Sequence, residues 1–429
     1  MAGHRRASQP SAKVVDAVAP DPVRVERIGA DGDGVADLTG NRSLFLACTL
    51  PGELVQPGPV VKRGDGFAAD AEIIEPSPDR VAPPCPHFGP CGGCSLQHWA
   101  DAPYAAWKAG RAAAAIGLST ISMARTPPAT RRRMDLGIRR VGSTIQIGLH
   151  RRRSTDIVDM HACPILHPTL FALIQALRPV LLRLEGLKRS GEASVNLVDN
   201  GPDLLLRTDA PLTSRDRTAL ATFAAANGVP RISATKIGSI DIEPAATLSR
   251  PSLAFSGYAT AIPSGTFLQA SPEGERAIVA AVLRMLPDKI KGPVIELYAG
   301  SGSLTHAIAT RARVVAYEGD AAAVAAVRGA VNGRVTVTVR DLARQPLVAA
   351  ELKGAGAIVL DPPFNGALAQ MPALAASGVP IIYVSCNPGA LTRDSRTLLG
   401  AGYRLITAEA VDQFLWSSQV ETIALFRKA

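Results

Sequence analysis

Residues 293–305 read PVIELYAGSGSLT, and the architecture follows from them. An apolar run of strand length carries Glu296 inside it. Gly300 and Gly302 then open onto SLTHAIAT, a helical pattern. The two glycines permit a tight turn that brings the backbone close to a ligand. Upstream, EGERAIVAAVLRML reads as a helix. Downstream, strand and helix patterns alternate through RVVAYE, DAAAVAAVRGAVN, RVTVTV, GAIVLD, a helix after Gly366, VPIIYVS and GALTRDSRTLL. YRLITAEAV and VETIALF close the chain as two more strands. Alternation at this spacing implies a right-handed, doubly wound α/β sheet, whose ligands sit beyond the strand C-termini.

The loops at those C-termini carry the chemistry. A dinucleotide fingerprint asks for a third glycine where Thr305 stands, which counts against NAD or FAD. Glu318 ends the second strand, where an acid accepts hydrogen bonds from ribose hydroxyls. Asp341 follows the third strand, within reach of an adenine. S-adenosylmethionine has ribose and adenine but no phosphate and fits this set best. The fourth strand ends in Asp361-Pro362-Pro363-Phe364, whose prolines hold a rigid loop over the cofactor. The same tetrapeptide pattern occurs in methyltransferases acting on amino groups of adenine or guanine, so it leaves the acceptor open. The fifth strand ends in Val384-Ser385-Cys386-Asn387-Pro388. Cys386 lies just before a helix, a position that favours thiolate. A thiolate is the soft nucleophile needed to activate a pyrimidine ring. Glu421, at the head of an apolar strand, is the candidate base for the C5 proton.

The rest of the chain divides by pattern. Residues 1–15 read as a disordered tail. Residues 16–80 hold five short strand patterns (VRVERIG, GVADL, LFLACTL, ELVQPGPVVKR and FAADAEII) broken by turns, as in a small β-barrel of the oligonucleotide-binding kind. SPDRVAPP reads as a linker. Residues 81–260 read as a mixed α/β domain, with a hairpin at Asn200-Gly201 and a helix over SRDRTALATFAAANG. That section opens with CPHFGPCGGCSLQH. Cys85, Cys91 and Cys94 stand as C-x5-C-x2-C, and Cys163 is a fourth candidate. Four thiolates suit zinc or a [4Fe–4S] cluster, and spacing alone does not choose.

Composition sets outer bounds. The 429 residues exceed one ordinary domain, and 47% hydrophobic residues exclude a wholly disordered chain. No apolar run approaches the roughly 20 residues of a membrane helix. The basic start MAGHRRASQPSAK lacks a signal-peptide core, so a cytoplasmic protein is expected. The net charge of +9 permits any polyanionic partner. Arginines cluster at Arg131–Arg133, Arg139–Arg140 and Arg151–Arg153, and Arg is the better fork for phosphate.

Taken with these residues, the chain resembles the bacterial RNA uracil-5-methyltransferases, in particular the branch acting on 23S rRNA. The resemblance covers almost everything after the tail. It implies an α/β fold with an N-terminal small β-barrel of the TRAM, OB-like type. A mixed α/β middle domain with an iron–sulfur site (81–260) and a Rossmann-like methyltransferase sheet (261–429) follow. CPHFGPCGGCSLQH with CPIL is similar to the family's [4Fe–4S] site, which implies Cys85, Cys91, Cys94 and Cys163 as iron ligands. FLQAS resembles the F-x-Q-x-N segment and implies Gln269 on the cofactor. Tyr298, Gly300, Gly302, Ser303, Glu318, Asp341 and Asp361 would line the S-adenosylmethionine site. SCNP implies Cys386 as nucleophile and VETIALF implies Glu421 as base. Three positions depart from the pattern: Phe364 replaces the usual Arg, Ser271 the usual Asn, and Gln419 a common His. The expected partner is RNA, 23S rRNA by this resemblance, with no membrane, no obligate protein partner and a monomeric state. Two rival readings stand beside it: an amino-group methyltransferase working through Asp361–Phe364, and a non-catalytic iron–sulfur RNA-binding factor in ribosome assembly.

Overall fold

A computed structural model describes residues 21–38, 40, 42–330 and 332–428. The tail expected over residues 1–15 lies outside them.

The C-terminal sheet is built from seven strands: β1 (Val294–Leu297), β2 (Val314–Glu318), β3 (Val335–Val339), β4 (Ala357–Leu360), β5 (Ile381–Ser385), β6 (Tyr403–Asp412) and β7 (Glu421–Lys428). Their order is β3-β2-β1-β4-β5-β7-β6. The first five run parallel, and β7 inserts antiparallel between β5 and β6. The strand order reverses between β1 and β4, which opens the crevice where ligands of such sheets bind. β1, β4 and β5 are buried along their whole length. They read as unbroken apolar runs because helices cover both faces. Alternate residues feed two cores. Val294, Val359, Ile382 and Val384 pack under helices Pro272–Met285 and Ser303–Ala309. Ile295, Leu297, Ile358, Leu360, Ile381 and Tyr383 pack under Met371–Ser377 and Pro388–Gly400.

One segment crosses the expected division of the chain. Strand Ser122–Arg125, read from sequence as part of the middle section, adds to the edge of the C-terminal sheet in parallel with β6. The preceding helix, Asp101–Ala115, is anchored to the same sheet by buried Lys108, paired with Asp412.

The middle section forms a six-stranded sheet (strands Arg133–Val141, Thr144–Gly148, Ser190–Val198, Gly201–Thr208, Arg231–Lys236 and Glu243–Thr247). The hairpin read at Asn200-Gly201 is present, with Val198 paired to Gly201. The helix read over SRDRTALATFAAANG is Ser214–Ala226, closed at its start by a capping box between Thr213 and Asp216. In the N-terminal section the five expected strands break into eight short pieces between Val23 and Glu75, shared by a three-stranded and a five-stranded sheet. The chain passes from one sheet to the other within 23–28, 42–57, 54–63 and 66–75. Among the described residues no helix is long and apolar enough to cross a membrane.

Four of the eight clustered arginines are held in structural contacts, which leaves fewer of them for phosphate. Arg132 is buried, pairs with Glu275 at 2.6 Å and donates to the Gln269 carbonyl at 3.1 Å. Arg140 closes the C-terminus of helix Pro168–Arg183 by donating to the carbonyls of Leu181, Leu182, Leu184 and Leu187. Arg152 and Arg153 both pair with buried Asp33, which ties the N-terminal sheets to the middle section. Arg139 is half-buried and Arg151 exposed.

Candidate active site

The carboxyl ends of β1, β2, β4 and β5 and the amino end of β7 share one edge of the sheet. The β5–β7 register pairs Ser385 with Thr422, so its next step sets Cys386 opposite Glu421. The β4–β5 register pairs Leu360 with Tyr383, which brings Asp361 alongside the same ends. Nucleophile and base candidates from positions 35 residues apart thus face each other.

Hydrogen bonds link the acids. Gln269 Nε2 donates to Asp361 Oδ2 at 3.1 Å. Gln413 Nε2 donates to Gln269 Oε1 at 2.7 Å and to Glu421 Oε1 at 3.4 Å. Among the described residues Glu421 Oε2 is buried without a hydrogen-bond partner. Burial holds the Glu421 carboxyl well above the usual carboxylate range, the Asp361 charge adds to this, and Gln413 opposes it. Burial likewise raises Asp361 against its hydrogen bond from Gln269. The Cys386 thiol is raised by burial and then by the charges of Glu421 and Asp361. This differs from the thiolate expected of a residue before a helix. Burial is the main cause and the two acids add to it, while Asn387 Oδ1 caps the helix Pro388–Gly400 by accepting from the Gly389 and Ala390 N–H groups.

The cofactor residues gather at the β1–β4 crevice. Tyr298 has φ +65° and Gly300 and Gly302 have φ +55° and +97°. A left-handed non-glycine residue at a strand end is the strain found at ligand sites. A Cβ on Gly302 would press on His306 at 3.0 Å, and its left-handed φ strains any side chain there. A Cβ on Gly300 would meet nothing within 4 Å, which leaves open space against the loop. Ser303 is half-buried at the first turn of helix Ser303–Ala309. Glu318 Oε2 accepts from Gly300 N–H and Oε1 from Asp320 N–H, both at 2.8 Å, so it ties the first loop to the second. Each oxygen keeps a lone pair for a ligand hydroxyl. Asp341 is exposed and turns its own loop, accepting from Ala343 N–H at 3.0 Å.

Two residues carry no assigned role in the sequence reading. Glu296 lies inside β1, pushed up to about 8 by burial, with Oε2 unpartnered among the described residues. Gln413 bridges the cofactor and base candidates. Its only sequence signal is a polar amide directly after a long strand. One departure also gains an account. Ser271 caps helix Pro272–Met285 by accepting from Gly274 N–H at 3.0 Å, a role Asn also fills. The Phe364 carbonyl accepts from Asn387 Nδ2 at 2.8 Å, which pins the Asp361–Phe364 loop beside Cys386.

Cys85, Cys91, Cys94 and Cys163 line one cavity of about 20 Å³ with Phe88, Leu149, Met160 and Ile165 among its walls. All four are free thiols. Burial pushes Cys94 up to about 12 and raises Cys91 and Cys163. Among the described residues no three His, Cys, Asp or Glu side chains converge on a single-ion site.

A doubly wound sheet with acids at its first, second and fourth strand ends and a Gly-x-Gly turn defines a Rossmann-like methyltransferase. Comparison with known proteins narrows this. No family model matches the chain. An RNA methyltransferase of Caulobacter vibrioides without assigned substrate is 36% identical over 422 residues, covering 94% of this chain and 99% of that protein. The 23S rRNA (uracil(1939)-C(5))-methyltransferase of Pectobacterium atrosepticum is 34% identical over 435 residues, covering 94% and 93%. The crystal structure of Pyrococcus abyssi tRNA (uracil-54, C5)-methyltransferase with S-adenosyl-L-homocysteine superposes with a TM-score of 0.74 over 94% of this chain and all of that one, at 20% identity. The chain belongs to the RNA uracil-5-methyltransferase family.

Proposed function

We propose that this protein methylates C5 of a uridine in RNA, using S-adenosylmethionine, with Cys386 as nucleophile and Glu421 as base. The observation that carries the reading is the β5–β7 register, which opposes a thiol and a buried carboxylate beside Asp361. The open face at Gly300, the strained Tyr298 and the spare lone pairs of Glu318 fit an adenosyl ligand. Bound there, S-adenosylmethionine would supply an electrophilic methyl group. Cys386 Sγ adds to C6 of the uracil, which makes C5 electron-rich. After C5 is methylated, Glu421 takes the C5 proton, the C5–C6 double bond re-forms and the sulfur leaves. The uridine must be splayed from its stack to reach this edge.

The Pectobacterium relatives named for 23S rRNA support rRNA as the substrate. The two N-terminal sheets, with strands passing between them, support a TRAM-like RNA-binding barrel at 16–80. Cys85, Cys91, Cys94 and Cys163 line one cavity, and four thiolates brought together suit a [4Fe–4S] cluster. The cluster's part is structural, because the methyl transfer moves no net electrons. The test uses 5-fluorouridine RNA, whose C5 carries no removable proton. Wild type should form an adduct that survives denaturation, and Cys386→Ala should form none. An adduct with Cys386→Ala, or undiminished methyl transfer by it, would overturn the mechanism.

A further inference from the structure

Gln413 sits between the cofactor candidate Gln269 and the base candidate Glu421, and its orientation is settled by a backbone group. Its Oε1 accepts from the Ala270 N–H at 3.0 Å. A backbone N–H only donates, so the amide oxygen must face Ala270 and the NH2 must face the acids. The NH2 donates to Gln269 Oε1 at 2.7 Å and to Glu421 Oε1 at 3.4 Å. Gln269 is oriented in turn, and its own NH2 faces Asp361 Oδ2. The chain of amides therefore offers only donors to both acids. Glu421 Oε1 is engaged, and Oε2 stays buried without a partner among the described residues.

We propose that Gln413 is a positioning residue that makes Glu421 a one-sided base, holding Oε1 and leaving Oε2 to take the C5 proton. The step balances. The C5–H electron pair forms the C5–C6 double bond, the Cys386–C6 pair returns to sulfur, and the proton ends on Oε2. The backbone on either side holds Gln413 in place. Asp412, its neighbour, is fixed by Lys108 and by Tyr104 Oη at 2.7 Å. Trp416, in the same loop, accepts through its carbonyl from Ser95 and Leu96 N–H next to Cys94. The base is thus braced from the cysteine cavity as well as from the sheet.

This inference rests on the uracil reading above, and its test separates the two. The substrate is rRNA from a strain lacking the gene, labelled with tritium at uracil C5, with S-adenosylmethionine varied up to saturation. Tritium release reads proton removal, and a denaturing gel reads the covalent complex. Gln413→Met keeps the length and removes the amide. Gln413→Glu keeps an acceptor for Ala270 and turns the donor facing Glu421 into an acceptor. For Met, release should fall about 10- to 100-fold, the worth of one hydrogen bond to a charged group. The covalent complex should accumulate, and the acid limb of the pH–rate profile should move to higher pH. Glu should move that limb further. Melting temperatures control for folding. Release equal to wild type in both variants would overturn the inference. So would a loss confined to the KM for S-adenosylmethionine with an unmoved pH limb, which is what a role only in holding Gln269 produces. Wild-type enzyme that releases no tritium would overturn the uracil reading itself, and the inference with it.

Discussion

Lys108 and Asp412 form an ion pair in which neither side chain is exposed. Asp412 also accepts from Tyr104 Oη at 2.7 Å, and Lys108 Nζ donates to the Phe414 carbonyl at 2.9 Å. Burial pulls the Lys108 ammonium down to about 8 against the upward pull of Asp412, so desolvation outweighs the attraction and the pair adds little net stability. Breaking it is another matter. Lys108→Met leaves a buried carboxylate with one neutral donor, at a cost of about 3–5 kcal/mol. Lys108→Met with Asp412→Leu removes both charges. Its remaining losses are the acceptor of the Tyr104 hydroxyl and the donor to the Phe414 carbonyl, about 1–3 kcal/mol each, and the single variant already carries the second. The double variant should therefore be more stable than the single one. Urea unfolding followed by tryptophan fluorescence is the assay. Trp99, Trp107 and Trp416 are the chain's three tryptophans, and all belong to the apolar core around Tyr104. A single-variant loss below about 1 kcal/mol, or a double variant less stable than the single one, would show that the pair is not held as described.

Other outcomes follow from the same geometry. Cys386 and Glu421 are both held protonated above their ordinary ranges and both act deprotonated, so kcat/KM should rise with pH through neutrality, and a fall over that range would contradict the site. Cys94→Ser should drop the iron content from about four per chain, measured by colorimetric iron assay, and lower the melting temperature. Arg140→Met should cost about 2–3 kcal/mol in urea unfolding, because four carbonyls are left without its donors, and should leave RNA affinity at its wild-type value. Arg139→Ala with Arg151→Ala should do the reverse, lowering the slope of log affinity against log salt by about 0.7–0.9 for each phosphate no longer neutralised.

The catalytic sheet was legible because strands buried on both faces leave unbroken apolar runs, as in VIEL and IIYVS. Cys386 and Glu421 stood out as reactive groups at the ends of such runs. Their opposition did not, since it depends on β7 entering antiparallel next to β5. Strand Ser122–Arg125 was missed because its residues are mostly exposed and carry no alternation, so local pattern could not attach it to β6. The arginine clusters misled for a related reason. Composition does not distinguish Arg140 on helix carbonyls from an arginine on phosphate. Thiolate at Cys386 was read from one neighbouring helix, whereas burial and two acids from other strands decide it.

Methylation of uracil C5 through Cys386 is open to direct measurement in the cell. Nucleoside mass spectrometry would compare rRNA from a strain lacking the gene with rRNA from strains carrying wild type or Cys386→Ala. One 5-methyluridine should disappear on deletion, return with wild type and stay absent with Cys386→Ala. An unchanged 5-methyluridine content, the loss of an amino-methylated adenosine or guanosine instead, or restoration by Cys386→Ala would be incompatible with that chemistry.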